Sequence, residues 1–595
     1  MEIRTNLFNS RLWRNVRKNV WFLSTLIIAV NAITLGFFGY LHYPQYNQLE
    51  SIYGAIRLFT INVEIPVEEN LNVFLEFARF LALISLVSGA LATVWYFFKN
   101  EISLLLLPFN KNHYIIVGLT EGAYSLANEM RVNHDKVVII ERNPENPYIE
   151  ELRKKGCTII LKDISDLHFI NHLALHKATG LIIYSMNDKN NVEILFKAIE
   201  EYEWKNKFEK KMQSYIHLNE KYLVKLIDAT IANKPIDVSI FNQYELGARY
   251  LFDQKPIYTN LDIVNESAKQ GHILILGFGL EGKHVAIEAI RRSHFPNSKK
   301  LKMTIIDEQA IQKGDEFLGE FPCIHQSVEI QFISSKPLSS EFRNRLKEFA
   351  QELTYVVLAF ENDELDYRVS TLLIEEFDQL PVALRLKNSN HLLHTHNIDQ
   401  PQFKETFHYA DSKDISNKKY IIQDEMSQLA KTIHQIYSIE NNSTPLDLWK
   451  NLSRMKQDSN MAQADHIDTK LYALGVKRVR KENAINPIPE KEFNQILEPL
   501  KQSLARAEHN RWNAFYFTNG WRPCEPNDPY HKNEHKKRHA CLVEWDELDN
   551  VSQMHSTMDK IIDYKEFDSF YIDNLYSTLN KIGYSIEHLG GEKNV

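Results

Sequence analysis

Gly271-His-Ile-Leu-Ile-Leu-Gly277-Phe-Gly279-Leu-Glu-Gly282 is the stretch that decides the fold of most of this chain. A short apolar run meets a full GxGxxG turn, and helical periodicity follows over Lys283–Arg292. The next apolar run, Met303–Ile306, ends in Asp307, 25 residues beyond Gly282. In this strand–turn–helix–strand setting the glycines admit a pyrophosphate to the backbone. The helix start offers free N–H groups, and the acid can bind ribose hydroxyls. Thr354–Ala359 and Pro381–Leu386 continue the alternation, which implies a doubly wound parallel sheet.

The same pattern occurs earlier. His113-Tyr-Ile-Ile-Val-Gly118 leads through Gly118-Leu-Thr120-Glu-Gly122-Ala123 into the helix Tyr124–Arg131, and Lys136–Ile140 ends in Glu141. Thr120 and Ala123 replace the second and third glycines, which weakens the ligand claim here, because the second glycine brings backbone to the pyrophosphate. Thr158–Leu161 followed by Asp163, Gly180–Tyr184, and Tyr215–Leu218 are further strands. The chain thus reads as α/β with two Rossmann-like units. Neither is followed by a separate substrate domain with an acid–base residue, which argues against a dehydrogenase tethered to a membrane.

Ahead of these units lie two uncharged apolar spans, Val20–Leu41 with 22 residues and Phe80–Phe98 with 19. At ~1.5 Å per residue each crosses a ~30 Å hydrocarbon core, the second barely. Arg4, Arg11, Arg14, Arg17 and Lys18 precede the first span, and Lys99 and Lys111 follow the second. The intervening loop carries Glu50, Glu64, Glu68 and Glu69 against Arg57. The positive-inside rule therefore places both termini in the cytoplasm, as in a two-span protein of a bacterial-type inner membrane. Ser51–Pro66 begins as an amphipathic helix and ends extended, which is the layout of a re-entrant pore loop. Thr60-Ile61-Asn62-Val63-Glu64 stands where a potassium filter has TVGYG; both glycines are absent, and a ring of Glu64 in a symmetric oligomer would favour cations. Gly89 is either a gating hinge or a helix-packing contact.

The bulk numbers agree with this plan. Length predicts about three to five domains, and 25% charged with 44% hydrophobic residues describe ordinary globular protein. A net charge of −8 gives no sign of a nucleic-acid binder. Cys157, Cys323, Cys524 and Cys541 form no CxxC and suit a reducing compartment. Near residue 412 the alternation stops, and helical periodicity appears in Asp424–Tyr437, Ala462–Leu474 and Phe493–Asn519. His531, His535, His539 and Cys541 are spaced like zinc ligands, but the basic loop around them and the lack of a second ligand pair argue against a metal.

The tandem units resemble RCK domains of the TrkA-N type, which regulate potassium channels. The resemblance rests on Gly118–Ala123, Glu141, Lys162-Asp163, Asn187-Asp188-Lys189-Asn190 and Phe241–Arg249. It covers 113–260, and more loosely 270–412. It implies a ring beneath a homotetrameric pore and a regulatory ligand of the NAD(H), ADP-ribose or ATP/ADP class. Carried over, it implicates Gly118, Thr120, Gly122, Glu141 and Asp163, with Gly277, Gly279, Gly282 and Asp307 in the second unit. After a helical connector, 413–442, residues 443–595 resemble the RyR domain, through Ala507-Glu508-His509-Asn510-Arg511-Trp512, Gly520-Trp521-Arg522 and Leu542–Leu548. That resemblance implies a mainly α-helical module sensing a nucleotide-like ligand. Arg511 and Arg522 could pair a phosphate and Trp512 or Trp521 stack a base, or Glu508 and His509 could hold a buried network. Two readings stay open: a ligand-gated channel for monovalent cations, and a membrane-anchored nucleotide sensor without a conducting pore.

Overall fold

The computed structural model describes residues 20–60, 71–107, 111–163, 167–205, 211–231, 234–377, 380–385, 406–423, 425–437, 449, 452–525, 531–557 and 561–590. Ile61, Asn62, Val63 and Glu64 of the filter-like segment lie outside them.

The helix Val20–Leu41 packs antiparallel on a 34-residue helix, Val73–Leu106. The apolar stretch of the second helix runs Val73–Val94, starting earlier than the expected Phe80. Glu76 and Arg79 mark that start as charged in the sequence, but they pair across one turn at 2.8 Å. Between the long helices, Gln48–Arg57 begins at Asn47, whose side chain and Glu50 form a reciprocal capping box. Its inner face, Ser51, Gly54 and Ala55, is buried. A Cβ on Gly54 would meet the Tyr40 ring at 2.8 Å. Leu26, Ile27, Val30, Phe77 and Phe80 stay more than half or about half exposed, the surface a lipid-facing hairpin presents and a soluble protein avoids.

Two six-stranded parallel sheets follow. The first contains β1 (His113–Val117), β2 (Lys136–Glu141), β3 (Thr158–Leu161), β4 (Ala178–Ile183), β5 (Met212–His217) and β6 (Ile236–Phe241), in the order 3-2-1-4-5-6. The second contains β7 (His272–Leu276), β8 (Leu301–Asp307), β9 (Val328–Ser334), β10 (Tyr355–Leu358), β11 (Val382–Arg385) and β12 (Thr406–Tyr409), in the equivalent order 9-8-7-10-11-12. This strand order opens a crevice where the topology reverses, at the carboxyl ends of β1/β4 and of β7/β10.

Each unit lends an element to the other. Helix Gln243–Gln254, which follows β6, buries Ala248, Leu251 and Phe252 in the core of the second unit. Ile415 and Ile421, which follow β12, join the core of the first. The C-terminal region, from 452 onward, is mainly helical with two small sheets. Its central helix, Lys501–Phe517, buries Phe515 and Phe517 together with Trp521 and Leu542 against the second unit.

Candidate functional site

In the first unit β1 ends at Gly118, whose φ of +90° and close approach to the Tyr184 carbonyl exclude a side chain. Thr120 caps the next helix: its Oγ1 accepts the Ala123 N–H at 3.1 Å. The hydroxyl thereby takes one of the N–H groups a phosphate would use. Glu141 reaches back from β2 and accepts N–H groups from Leu119 at 2.8 Å and Asn143 at 2.7 Å. Gly118, Thr120, Gly122 and Glu141 therefore meet at the carboxyl end of the sheet. Asp163 stands at the same end beyond β3, exposed and 3.5 Å from Arg142. A Cβ on Gly122 would strike the Tyr184 hydroxyl at 2.2 Å and Ser416 Oγ at 2.6 Å, so the segment after β12 lies directly on this turn.

The second unit repeats the geometry with different chemistry. Gly277 has φ +96°, and Asp307 accepts the N–H of Phe278 at 2.8 Å and of Gln309 at 2.8 Å. Lys313 binds the same carboxylate at 2.8 Å. Burial alone would raise Asp307, but Lys313 and these N–H donors outweigh it and hold the carboxyl below its ordinary range. Gly279 caps the helix with no side chain, and Gly282 packs so tightly that a Cβ would meet the Gly277 carbonyl at 2.1 Å. The helix start is nevertheless occupied. Glu361 Oε1 accepts the Glu281 N–H at 3.1 Å and sits where a Cβ on Gly279 would be 2.5 Å away. Glu361 holds a left-handed φ of +59°, unusual for its side chain. Behind it, Arg385 pairs with the buried Glu281 at 3.2 Å. The sequence reading missed Glu361; the signal available was its position just after β10, beside the cap Asn362.

In the C-terminal region Glu508 and Arg511 are both about 1% exposed. They pair at 2.8–3.1 Å, and Lys470 Nζ reaches the same carboxylate at 2.7 Å. Burial opposes ionisation of Glu508, but the two cations drive it down to about 2. His509 is fixed by the Val543 carbonyl at 2.8 Å and Asp568 at 3.4 Å. Trp521 is buried edge-on to Tyr516. Trp512 is half-buried and Arg522 exposed. A ligand arriving from solvent therefore meets Arg522 and an edge of Trp512 before any other member of this set.

Nearby, donor atoms of His531, His539 and Cys541 all lie within 4.8 Å of one another, whereas exposed His535 stands outside the group. In the hairpin Thr60 closes a short turn by donating to the Arg57 carbonyl at 2.7 Å. Gly89 faces Thr25 across the two long helices, where an added Cβ would lie 3.7 Å from the threonine methyl.

Residues 114–209 match the TrkA-N domain model, within the first unit. None of the curated proteins matches the chain. Among solved structures, GsuK bound to ADP is 13% identical, with 67% of this chain and 96% of that chain covered and a TM-score of 0.36. The GsuK channel bound to NAD is 11% identical, covering 80% and 87%, with a TM-score of 0.35. An L-alanine dehydrogenase is 11% identical, covering 65% and 99%, with a TM-score of 0.19.

Proposed function

We propose that the chain is a ligand-gated cation channel of the inner membrane. Four copies surround one pore, and nucleotide binding to the cytosolic units sets whether it conducts. One observation carries the reading. The helix that begins in the apolar hairpin at Val73 runs unbroken to Leu106, ~51 Å at ~1.5 Å per residue. Leu107 is then fully buried in the core of the first unit. A change of shape in that unit would therefore reach the helix through Leu107.

The ligand proposed is a nucleotide of the NAD(H), ADP-ribose or ATP/ADP class, and the first unit is its primary site. Two observations support that preference: the TrkA-N match falls there, and its helix start meets a neutral hydroxyl rather than the carboxylate of Glu361. Gly118, Thr120 and Gly122 would face phosphates, and Glu141 and Asp163 ribose hydroxyls. In the RyR-like module Arg522 and Trp512 would touch ligand, while Glu508, His509, Arg511 and Trp521 hold the fold. Thr60 to Glu64 would line the filter and Gly89 would serve as the hinge. Ligand acts by binding one conformation of the ring better than the other.

Ion flux from liposomes holding the full-length protein tests this, with and without NAD, ADP-ribose and ATP. Ligand-dependent flux that favours cations is expected. Tight nucleotide binding with no flux would leave the second reading, a membrane-anchored sensor, which the missing filter glycines at Asn62 and Glu64 favour.

A further inference from the structure

The described residues between Trp521 and Trp545 are mostly loop. Their strands, Arg522–Pro523, Lys532–Asn533 and Arg538–His539, are two residues each, far short of a self-supporting sheet. Yet this segment carries a concentrated set of metal-binding side chains. His531 and His539 face each other with ring centroids 4.7 Å apart, and their nitrogens and Cys541 Sγ fall within 4.8 Å of one another.

We infer that His531, His539 and Cys541 form a binding site for a borderline-soft divalent cation, Zn²⁺ in the cell, that ties this segment together where His539 packs on the helix Lys501–Phe517. Two imidazoles and a thiolate are a donor set that suits zinc. A tetrahedral ion at ~2.0–2.3 Å from each donor needs only a modest contraction of the present spacing.

The surroundings fit. Tyr564 stacks on His531 at 5.2 Å, and its hydroxyl lies 3.4 Å from His531 Nδ1, the outer contact that orients a ligating imidazole. His539 is wedged against Trp512 and Tyr516 on the long helix. Its Nδ1 accepts the Cys541 N–H at 3.1 Å. The objection from the basic loop does not survive folding. Lys532 is turned onto Glu534 and the Trp521 face, Arg538 onto Glu525, and Lys537 onto the Asn519 carbonyl. Cys524, whose Sγ donates to the His531 carbonyl at 3.8 Å, flanks the group. Binding forms one metal–sulfur and two metal–nitrogen bonds and releases the Cys541 proton to solvent.

The test uses full-length protein in detergent, stripped by a chelator and desalted. Zn²⁺ is titrated in competition with a chromogenic chelator, and Co²⁺ is followed by absorption. One metal per chain is expected, with the visible bands of tetrahedral cobalt and a near-ultraviolet thiolate-to-cobalt band. Cys541→Ser should abolish the thiolate band. His531→Ala, with native folding checked by circular dichroism, should weaken Zn²⁺ by more than about 100-fold, and Tyr564→Phe by about 10-fold. His535→Ala should bind as the parent does. Zn²⁺ lost on desalting, a cobalt spectrum without the thiolate band, or equal affinity in His531→Ala and His535→Ala would each overturn the site.

Discussion

Asp366 is the residue whose environment most clearly opposes its charge. It has no exposed surface, its Oδ1 accepts the Phe360 N–H at 3.1 Å, and its Oδ2 has no hydrogen-bond partner. Burial pushes its carboxyl up from 3.8 to about 7, with the Phe360 N–H and Arg385 pulling the other way. The folded state therefore holds this proton at pH values where the unfolded chain has released it. Stability from this group is complete below pH 3.8 and falls as pH rises toward 7. Asp366→Asn removes the penalty and keeps an acceptor for Phe360. It should raise the unfolding temperature at pH 8, by a contribution of a few kcal/mol, and leave it nearly unchanged at pH 4. Equal shifts at both pH values would show that the carboxyl is not buried as described. The contrast with Glu508 is instructive: equally buried, it is ionised because Arg511 and Lys470 pay for its desolvation.

At the scale of elements, the strands that the sequence shows are those with an unbroken apolar run, most of them interior to a sheet. β1, β4, β7 and β10 read as continuous apolar runs because neighbours cover them. β6, β9 and β12 are sheet edges, half-exposed and mixed in composition, and no apolar run marks them. The glycine turns were equally legible, since φ near +90° at Gly118 and Gly277 demands glycine. What fills the turns was not legible, because Glu361 arrives from 80 residues beyond the N–H it accepts. Nor was the meeting of His531, His539 and Cys541, since it depends on where the basic side chains turn. By sequence the second unit has the better phosphate turn; by geometry its helix start already holds a carboxylate. A phosphate ~4 Å from that charge loses on the order of 4 kcal/mol at an effective dielectric near 20. Glu361→Gln keeps the hydrogen-bonding shape and removes the charge. ADP binding to the second unit, read by calorimetry in a Gly118→Val background that closes the first, should tighten at least about tenfold. An unchanged affinity would mean that Glu361 swings clear of the ligand and guards nothing.

The whole molecule is joined where helix Gln243–Gln254, helix Leu280–Arg292 and the C-terminal module meet at one carboxylate. Asp465 lies 3.1 Å from Arg249 and 3.6 Å from Arg292, which also pairs with Asp253 and Glu288 at 2.6 Å each. The three elements come from either side of the crossover, so the knot ties both Rossmann units to the module. Burial would raise Asp465, but Arg249 and Arg292 hold it below the ordinary carboxylate range. Its contribution is therefore present at neutral pH and lost as pH falls through its folded-state value. Removing one member of a buried pair leaves its partners uncompensated, at a cost of about 3–5 kcal/mol. Asp465→Asn should undock the module rather than unfold it, because the module keeps its own core around Trp545, Phe493 and Leu575. Scanning calorimetry of the full chain should then resolve two transitions outside the apolar hairpin where one is expected of the parent, and the parent should split in the same way as pH is lowered. A single transition in Asp465→Asn, shifted or not, would mean that apolar docking through Phe515, Phe517 and Leu542 holds the bodies together and that the ionic knot only sets their orientation.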